Sequence, residues 1–179
     1  MTRRLVVSSR PNGSSFIESD GKPEHVSEFV SVPGFSLTLL WATDDSSKML
    51  HPTEWANKNI STWVPPAGGH RFMLVTFPPD AVMMSPEFDM NAAGLEYFEK
   101  IPGLAEKFEP NCPGMHTTDT LDYSIVLSGS ISLDIGDGSL NVLHQHDITV
   151  LKGARHAWRN HTNEPTQMMF VLNGAERPR

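Results

Sequence analysis

The chain has 179 residues, of which 39% are hydrophobic and 20% charged, enough apolar material for one globular domain with a real core. A formal charge of -7 leaves no basic stripe to neutralise phosphates, which argues against nucleic acid or an anionic membrane and points to a small-molecule partner. No stretch approaches the ~18 apolar residues of a membrane span, and the opening MTRRLVVSSR lacks a secretory apolar core, so a cytoplasmic protein is expected.

In chain order, residues 3–45 hold four strand-like runs, LVVSS, SFIES, HVSEFV and FSLTLLW, punctuated by the turn signals PNG, DGKP and VPG. Residues 46–69 are rich in Pro and Asn and read as a long ordered loop, with Trp55 and Trp63 expected to seal an edge of the core. The run RFMLVTF after His70 returns to a strand, and Arg71 at its start is a candidate to pair with a carboxylate or enolate on a substrate. Residues 85–110 form the helical part of the chain. Leu95, Phe98 and Ile101 stand at i, i+3 and i+6 before Pro102 stops the helix. Such an insertion is placed to act as a lid, a sheet-edge cover or a dimer contact. Cys112 is single, so no internal disulfide exists, and no neighbour lowers its pKa; it is read as structural.

The chemistry gathers between Gly114 and Asn160. His116, Thr118, Thr120, Asp122, Ser124 and Val126 alternate with Leu121, Tyr123, Ile125 and Leu127, so one strand has a polar, titratable face and an apolar one. A polar face holding His and Asp suits a barrel interior that serves as a binding site. Gly129 closes that strand, and short β-rich runs separated by GDG, HQHD and KGAR follow. His156, Trp158 and Asn160 share one parity in a later strand. Trp158 is the expected aromatic wall for a planar substrate, while Thr118 and Ser124 are candidate substrate contacts on the polar face. His144 and His146 sit at a turn and are discounted as metal ligands; His70 is a weaker candidate for a substrate contact. Phe72, Leu74, Ile125, Leu127, Phe170 and Leu172 are assigned to core packing.

The spacing of His116, Thr118, Asp122 and Gly129, and then of His146-Asp147, Lys152-Gly153, His156 and Asn160, resembles the two motifs of the cupins, and the likeness to small single-domain cupins of bacteria and fungi spans nearly the whole chain. The resemblance implies an all-β fold, a double-stranded β-helix or jelly-roll barrel. Extra amino-terminal strands and a long loop would fill residues 1–84, the helical insertion residues 85–110 and the motif core residues 111–174. It also implies a divalent metal, Fe, Zn or Mn, held by His116, Asp122 and His156. Several letters depart from the pattern, and among the ligand positions Thr118 stands where a second His is usual and Asp122 where Glu is usual. Asp is shorter by one methylene, roughly 1.5 Å of reach, so a metal-free pocket in which Asp122 and His156 move protons is the other reading. The function expected is an enzyme on a small carbonyl or carboxylate compound, by decarboxylation, dehydration, isomerisation or oxygenation, with a homodimer as the expected assembly and the resemblance pointing to secondary metabolism. A non-catalytic ligand-binding protein is the alternative, and a structural dimer module with an empty barrel is the third.

Overall fold

The computed structural model describes residues 2–45 and 60–177. Arg4, Val6 and Ser8 are half-buried and Leu5, Val7 and Ser9 exposed in β1 (Arg4–Ser9), which pairs with β2 (Ser15–Gly21) as a separate two-stranded ribbon. Nine further strands follow: β3 (His25–Glu28), β4 (Ser36–Thr43), β5 (His70–Phe77), β6 (Thr120–Ser128), β7 (Ser130–Asp134), β8 (Leu140–His144), β9 (Ile148–Lys152), β10 (Ala157–Arg159) and β11 (Thr166–Gly174). They build an antiparallel sheet in the order β3-β4-β5-β11-β6-β9 and a smaller one in the order β10-β7-β8. This is the all-β, double-stranded β-helix architecture, with the expected amino-terminal strands in place. Trp55 lies outside the described residues; Trp63 is buried in the core.

Period-two burial explains how the sheets close on one another. On β11, Thr166, Met168, Phe170 and Leu172 are buried while their neighbours are half-buried. Leu37 and Leu39 of β4, Met73 and Val75 of β5, Val126 of β6 and Ile131 of β7 meet the same core. The polar face of β6 turns inward: Thr120, Asp122, Ser124 and Val126 are buried, whereas Tyr123 is exposed and Ile125 and Leu127 are only half-buried. The apolar face of that strand is therefore the outer one, and Ile125 and Leu127 do not belong to the central core. Gly129 joins β6 to β7 at φ +80°, and a Cβ there would stand 2.6 Å from the Thr166 hydroxyl, so the turn requires glycine twice over.

The insertion between β5 and β6 contains α1 (Met90–Lys100), flanked by short 3-10 turns at Asp80–Val82 and Ala105–Lys107. Asp89 caps α1 by accepting from the backbone N–H groups of Asn91 and Ala92. Its inward face differs from the one that the Leu95, Phe98, Ile101 spacing predicts. Ile101 is 0% exposed, but Leu95 is 73% and Phe98 54% exposed; Ala93, Tyr97 and Ile101, four residues apart, face the barrel instead. A four-residue step advances only about 40° around a helix, so these three form a tighter stripe than a three-residue step gives. Glu96 ties α1 to the β3–β4 connection by accepting from the backbone N–H groups of Val30 and Ser31 at 2.8 and 2.7 Å. Among the described residues no helix is long and apolar enough to cross a membrane.

Candidate functional site

His116 and His156 meet because the backbone pairs them. Each donates its N–H to the other's carbonyl, at 2.9 and 3.0 Å, in a single antiparallel bridge. Residues directly opposite in such a bridge project side chains to the same face, and the two imidazole rings lie 4.4 Å apart between centroids. Both rings are then fixed by the same local device: Nδ1 of His116 donates to the Gly114 carbonyl at 3.0 Å, and Nδ1 of His156 to the Ala154 carbonyl at 2.9 Å. A carbonyl oxygen can only accept, so each Nδ1 carries the proton and each Nε2 keeps its lone pair.

Burial lowers the pKa of both rings. For His156 burial, reinforced by the charge His116 would carry and opposed by the bond to Ala154, brings it to about 4. The pair is neutral at physiological pH. Asp122 moves the other way: burial pushes its carboxyl up to about 6, against a hydrogen bond from Thr120. Thr120 and Thr118 share a 2.7 Å hydroxyl contact, and Asp122 Oδ1 is buried with no partner among the described residues. An unsatisfied buried carboxyl oxygen is costly unless the group is protonated or finds a ligand.

These groups line a cavity of about 460 Å³ between the two sheets and α1. Trp158 forms part of its wall, edge-on to His156 (5.8 Å, 82°) and to Phe170 (5.6 Å, 70°). Of the residues singled out by sequence, His116, Thr118, Asp122, His156 and Trp158 come together here. Phe170 and Leu172, assigned to the core, are also cavity wall. Ser124 shares the inward face but lies deeper, its hydroxyl held by Thr149 at 2.5 Å.

Arg71 is not at this site. It is 0% exposed, and its guanidinium is consumed by the carbonyls of Thr62, Thr43 and His70 and by the Asp44 carboxylate, 2.7 Å away. One end of β5 carries it away from the cavity that Met73 and Val75 line, so it closes the far end of the barrel and cannot pair with a substrate. His70 is likewise engaged, by Asn173 at 2.7 Å. Arg155 is held at the surface by Glu109 through two bonds of 2.6 and 2.7 Å. Asn160 is structural: its amide donates to the carbonyls of Phe77 and Glu164. His144 and His146 are exposed at a turn, where His146 adopts φ 74° in the place a glycine would take.

Sequence reasoning missed part of the wall. Phe35, Tyr97, Phe98 and Phe108 also line the cavity, and Phe108 stands edge-on to His116 at 5.3 Å. The aromatic density on either side of β3 and in the helical insertion was the available signal, but nothing local ties Phe35 to residues sixty or more positions away.

The three-ligand metal centre implied by His116, Asp122 and His156 does not assemble. The imidazoles offer free Nε2 lone pairs in the tautomer a metal prefers. Yet among the described residues no three His, Cys, Asp or Glu side chains stand close enough to hold an ion. Asp122 is one methylene short, and Thr118 spends its hydroxyl on Thr120 instead of supplying an imidazole. The donor set fits a metal at two positions and fails at the third.

No protein-family model matches the chain. Over 69 residues it is 36% identical to the cupin-domain-containing oxidoreductase virC of Hypocrea virens, a match covering 36% of the chain and 36% of that protein. That likeness supports the cupin superfamily for this chain. This cupin is also 28% identical over 134 residues to the oryzines biosynthesis cluster protein J of Aspergillus oryzae, covering 70% of the chain and 69% of that protein. A solved structure from Klebsiella pneumoniae, an uncharacterised protein with a double-stranded β-helix domain, aligns with a TM-score of 0.45 at 14% identity over 87% of this cupin and 88% of that chain. The relatives are cupin-domain oxidoreductases and biosynthesis-cluster proteins, company that fits a cupin of secondary metabolism. The alignment to virC spans about a third of that protein's length.

Proposed function

We propose that this cupin is an enzyme of secondary metabolism that moves a proton on a small, largely apolar molecule bearing a carbonyl or carboxyl oxygen, in an isomerisation or dehydration. The observation that carries this reading is the unpartnered Asp122 oxygen sharing an apolar cavity with two imidazoles whose Nε2 lone pairs are free. The environments push the acid and the bases in opposite directions, which assigns their roles. Asp122, with its pKa raised to about 6, is the group that can give a proton to a developing enolate oxygen. His156, with its pKa near 4, stays neutral and can accept a proton at Nε2 from the carbon beside the carbonyl. The proton lost from carbon resides on His156; its transfer from the imidazolium to a second carbon, or to a departing hydroxyl that leaves as water, regenerates the imidazole, while the enol O–H returns its proton to Asp122 as the carbonyl re-forms, so both groups are restored. Thr118 and Thr120 orient the carboxyl; Trp158 and Phe170 hold the flat body of the substrate.

The test is exchange of carbon-bound protons for deuterium in ²H₂O, followed by NMR over a panel of cyclic and aromatic ketones that raise the melting temperature. The expected result is exchange above the solvent rate that falls at least about a hundredfold in both Asp122→Asn and His156→Gln. Exchange that survives in both variants would remove the assignment. Ligand binding without turnover is the second reading, favoured by the loss of a ligating side chain at Thr118; it predicts the same thermal shifts with no exchange in the unaltered protein.

A further inference from the structure

We infer that the cavity selects an uncharged substrate, an aromatic or alicyclic ketone or alcohol, and rejects the corresponding carboxylate. This narrows the substrate class of the site proposed above and rests on that reading of the cavity. Among the described residues the lining contains three carboxyl groups, Asp80, Glu109 and Asp122, and one cationic side chain, Arg159. That guanidinium is already committed, with Nε donating to Asp134 at 3.2 Å and Nη1 to the Pro113 carbonyl at 2.6 Å. Arg155, the other guanidinium near the rim, is held by both oxygens of Glu109. Arg71, the residue best suited by sequence to receive a carboxylate, is sealed at the far end of the barrel by Asp44 and three backbone carbonyls.

A carboxylate entering this cavity would lose its hydration beside Asp122 and meet only a guanidinium whose charge is already paired with Asp134, a balance that disfavours it unless it binds protonated. A neutral carbonyl or hydroxyl loses far less and finds hydrogen-bonding partners there. Among the lining residues, Thr118, Asp122, His116 and His156 offer hydrogen-bonding groups to a ligand oxygen, and Phe35, Tyr97, Phe108, Trp158 and Phe170 offer aromatic surface to a flat apolar body. The volume of about 460 Å³ lies in the range of small-molecule sites and accommodates a fused bicyclic skeleton with space to spare.

The experiment compares 2-acetylnaphthalene with 2-naphthoate, which share a skeleton and differ in charge. Binding to the full chain is followed at pH 7.5 by tryptophan fluorescence quenching and calorimetry. The expected result is that the ketone binds at least about tenfold more tightly than the acid. Asp122→Asn, which removes the nearest negative charge, is expected to narrow that ratio by strengthening the acid and not the ketone. Equal affinity, or tighter binding of the acid, overturns the charge inference while leaving the cavity as the ligand site. If neither probe binds and Phe98→Trp fluorescence responds to neither, the reading of the cavity itself fails, and the inference falls with it.

Discussion

Replacing Asp122 with Asn gives the most direct test of the electrostatics at the site, because the change is nearly isosteric and removes only the ability to ionise. The folded protein raises this carboxyl from its ordinary 3.8 to about 6. The sign follows from linkage: a carboxyl whose folded pKa is raised costs nothing at low pH, where it is protonated in both states. Its cost grows as pH rises through 3.8 and levels off above about 6, where the ion is buried in the folded state and hydrated in the unfolded one. Each tenfold change in ionisation is worth 1.36 kcal/mol, so the penalty carried by the unaltered protein reaches ~3 kcal/mol at pH 8 and is only ~0.5 kcal/mol at pH 4. Asp122→Asn is therefore expected to gain ~2.5 kcal/mol relative to the unaltered protein on going from pH 4 to pH 8. In a domain of this size that is roughly 5–10 °C in melting temperature. Any constant cost of burying the amide cancels in the comparison, as do the His116 and His156 titrations, which both proteins share. Urea denaturation at the two pH values measures it. A difference between the proteins that does not change with pH would show that the carboxyl is not desolvated in the folded state, and the acid role assigned to it would lose its basis.

The same two residues predict a bell-shaped pH profile for turnover, with limbs near pH 4, where His156 becomes protonated, and near pH 6, where Asp122 ionises; a profile that rises continuously above pH 6 would make Asp122 the base. Protein purified without chelator is expected to hold well under one equivalent of divalent metal, whereas Asp122→Glu combined with Thr118→His, which restores the missing methylene and imidazole, should raise the content toward one equivalent by elemental analysis. Stoichiometric metal in the unaltered chain would refute the mismatch. On α1, Ile101→Ala should destabilise by ~2–5 kcal/mol and Leu95→Ala by less than ~0.5 kcal/mol in chemical denaturation. Equal losses would restore the three-residue stripe.

Much of the fold was legible because its signals are local. The inward polar face of β6 follows from the alternation of Thr120, Asp122, Ser124 and Val126, whereas His116 and Thr118, read as part of the same strand, precede it. The turn at Gly129 was equally readable. Where periodicity was weak the tertiary environment overrode it. Leu95, Phe98 and Ile101 satisfy a helical spacing as well as Ala93, Tyr97 and Ile101 do, and only the aromatic surface beneath α1 decides that Tyr97 turns inward.

The amino-acid sequence by itself determined that Asp122 lies on an inward-facing position of one strand, since side-chain parity along a strand is a property of the backbone alone; His116 and His156 sit in an isolated bridge outside the named strands. It could not determine what those side chains meet. The 4.4 Å approach of the imidazoles depends on a backbone bridge between positions forty residues apart. Likewise, Arg71 is withdrawn by Asp44 and by carbonyls that only the closed barrel brings to it. Charge, desolvation and hydrogen-bond satisfaction are set by neighbours distant in sequence, so the pKa of Asp122, the neutrality of the histidine pair and the lack of an available cation in the cavity among the described residues belong to the tertiary structure.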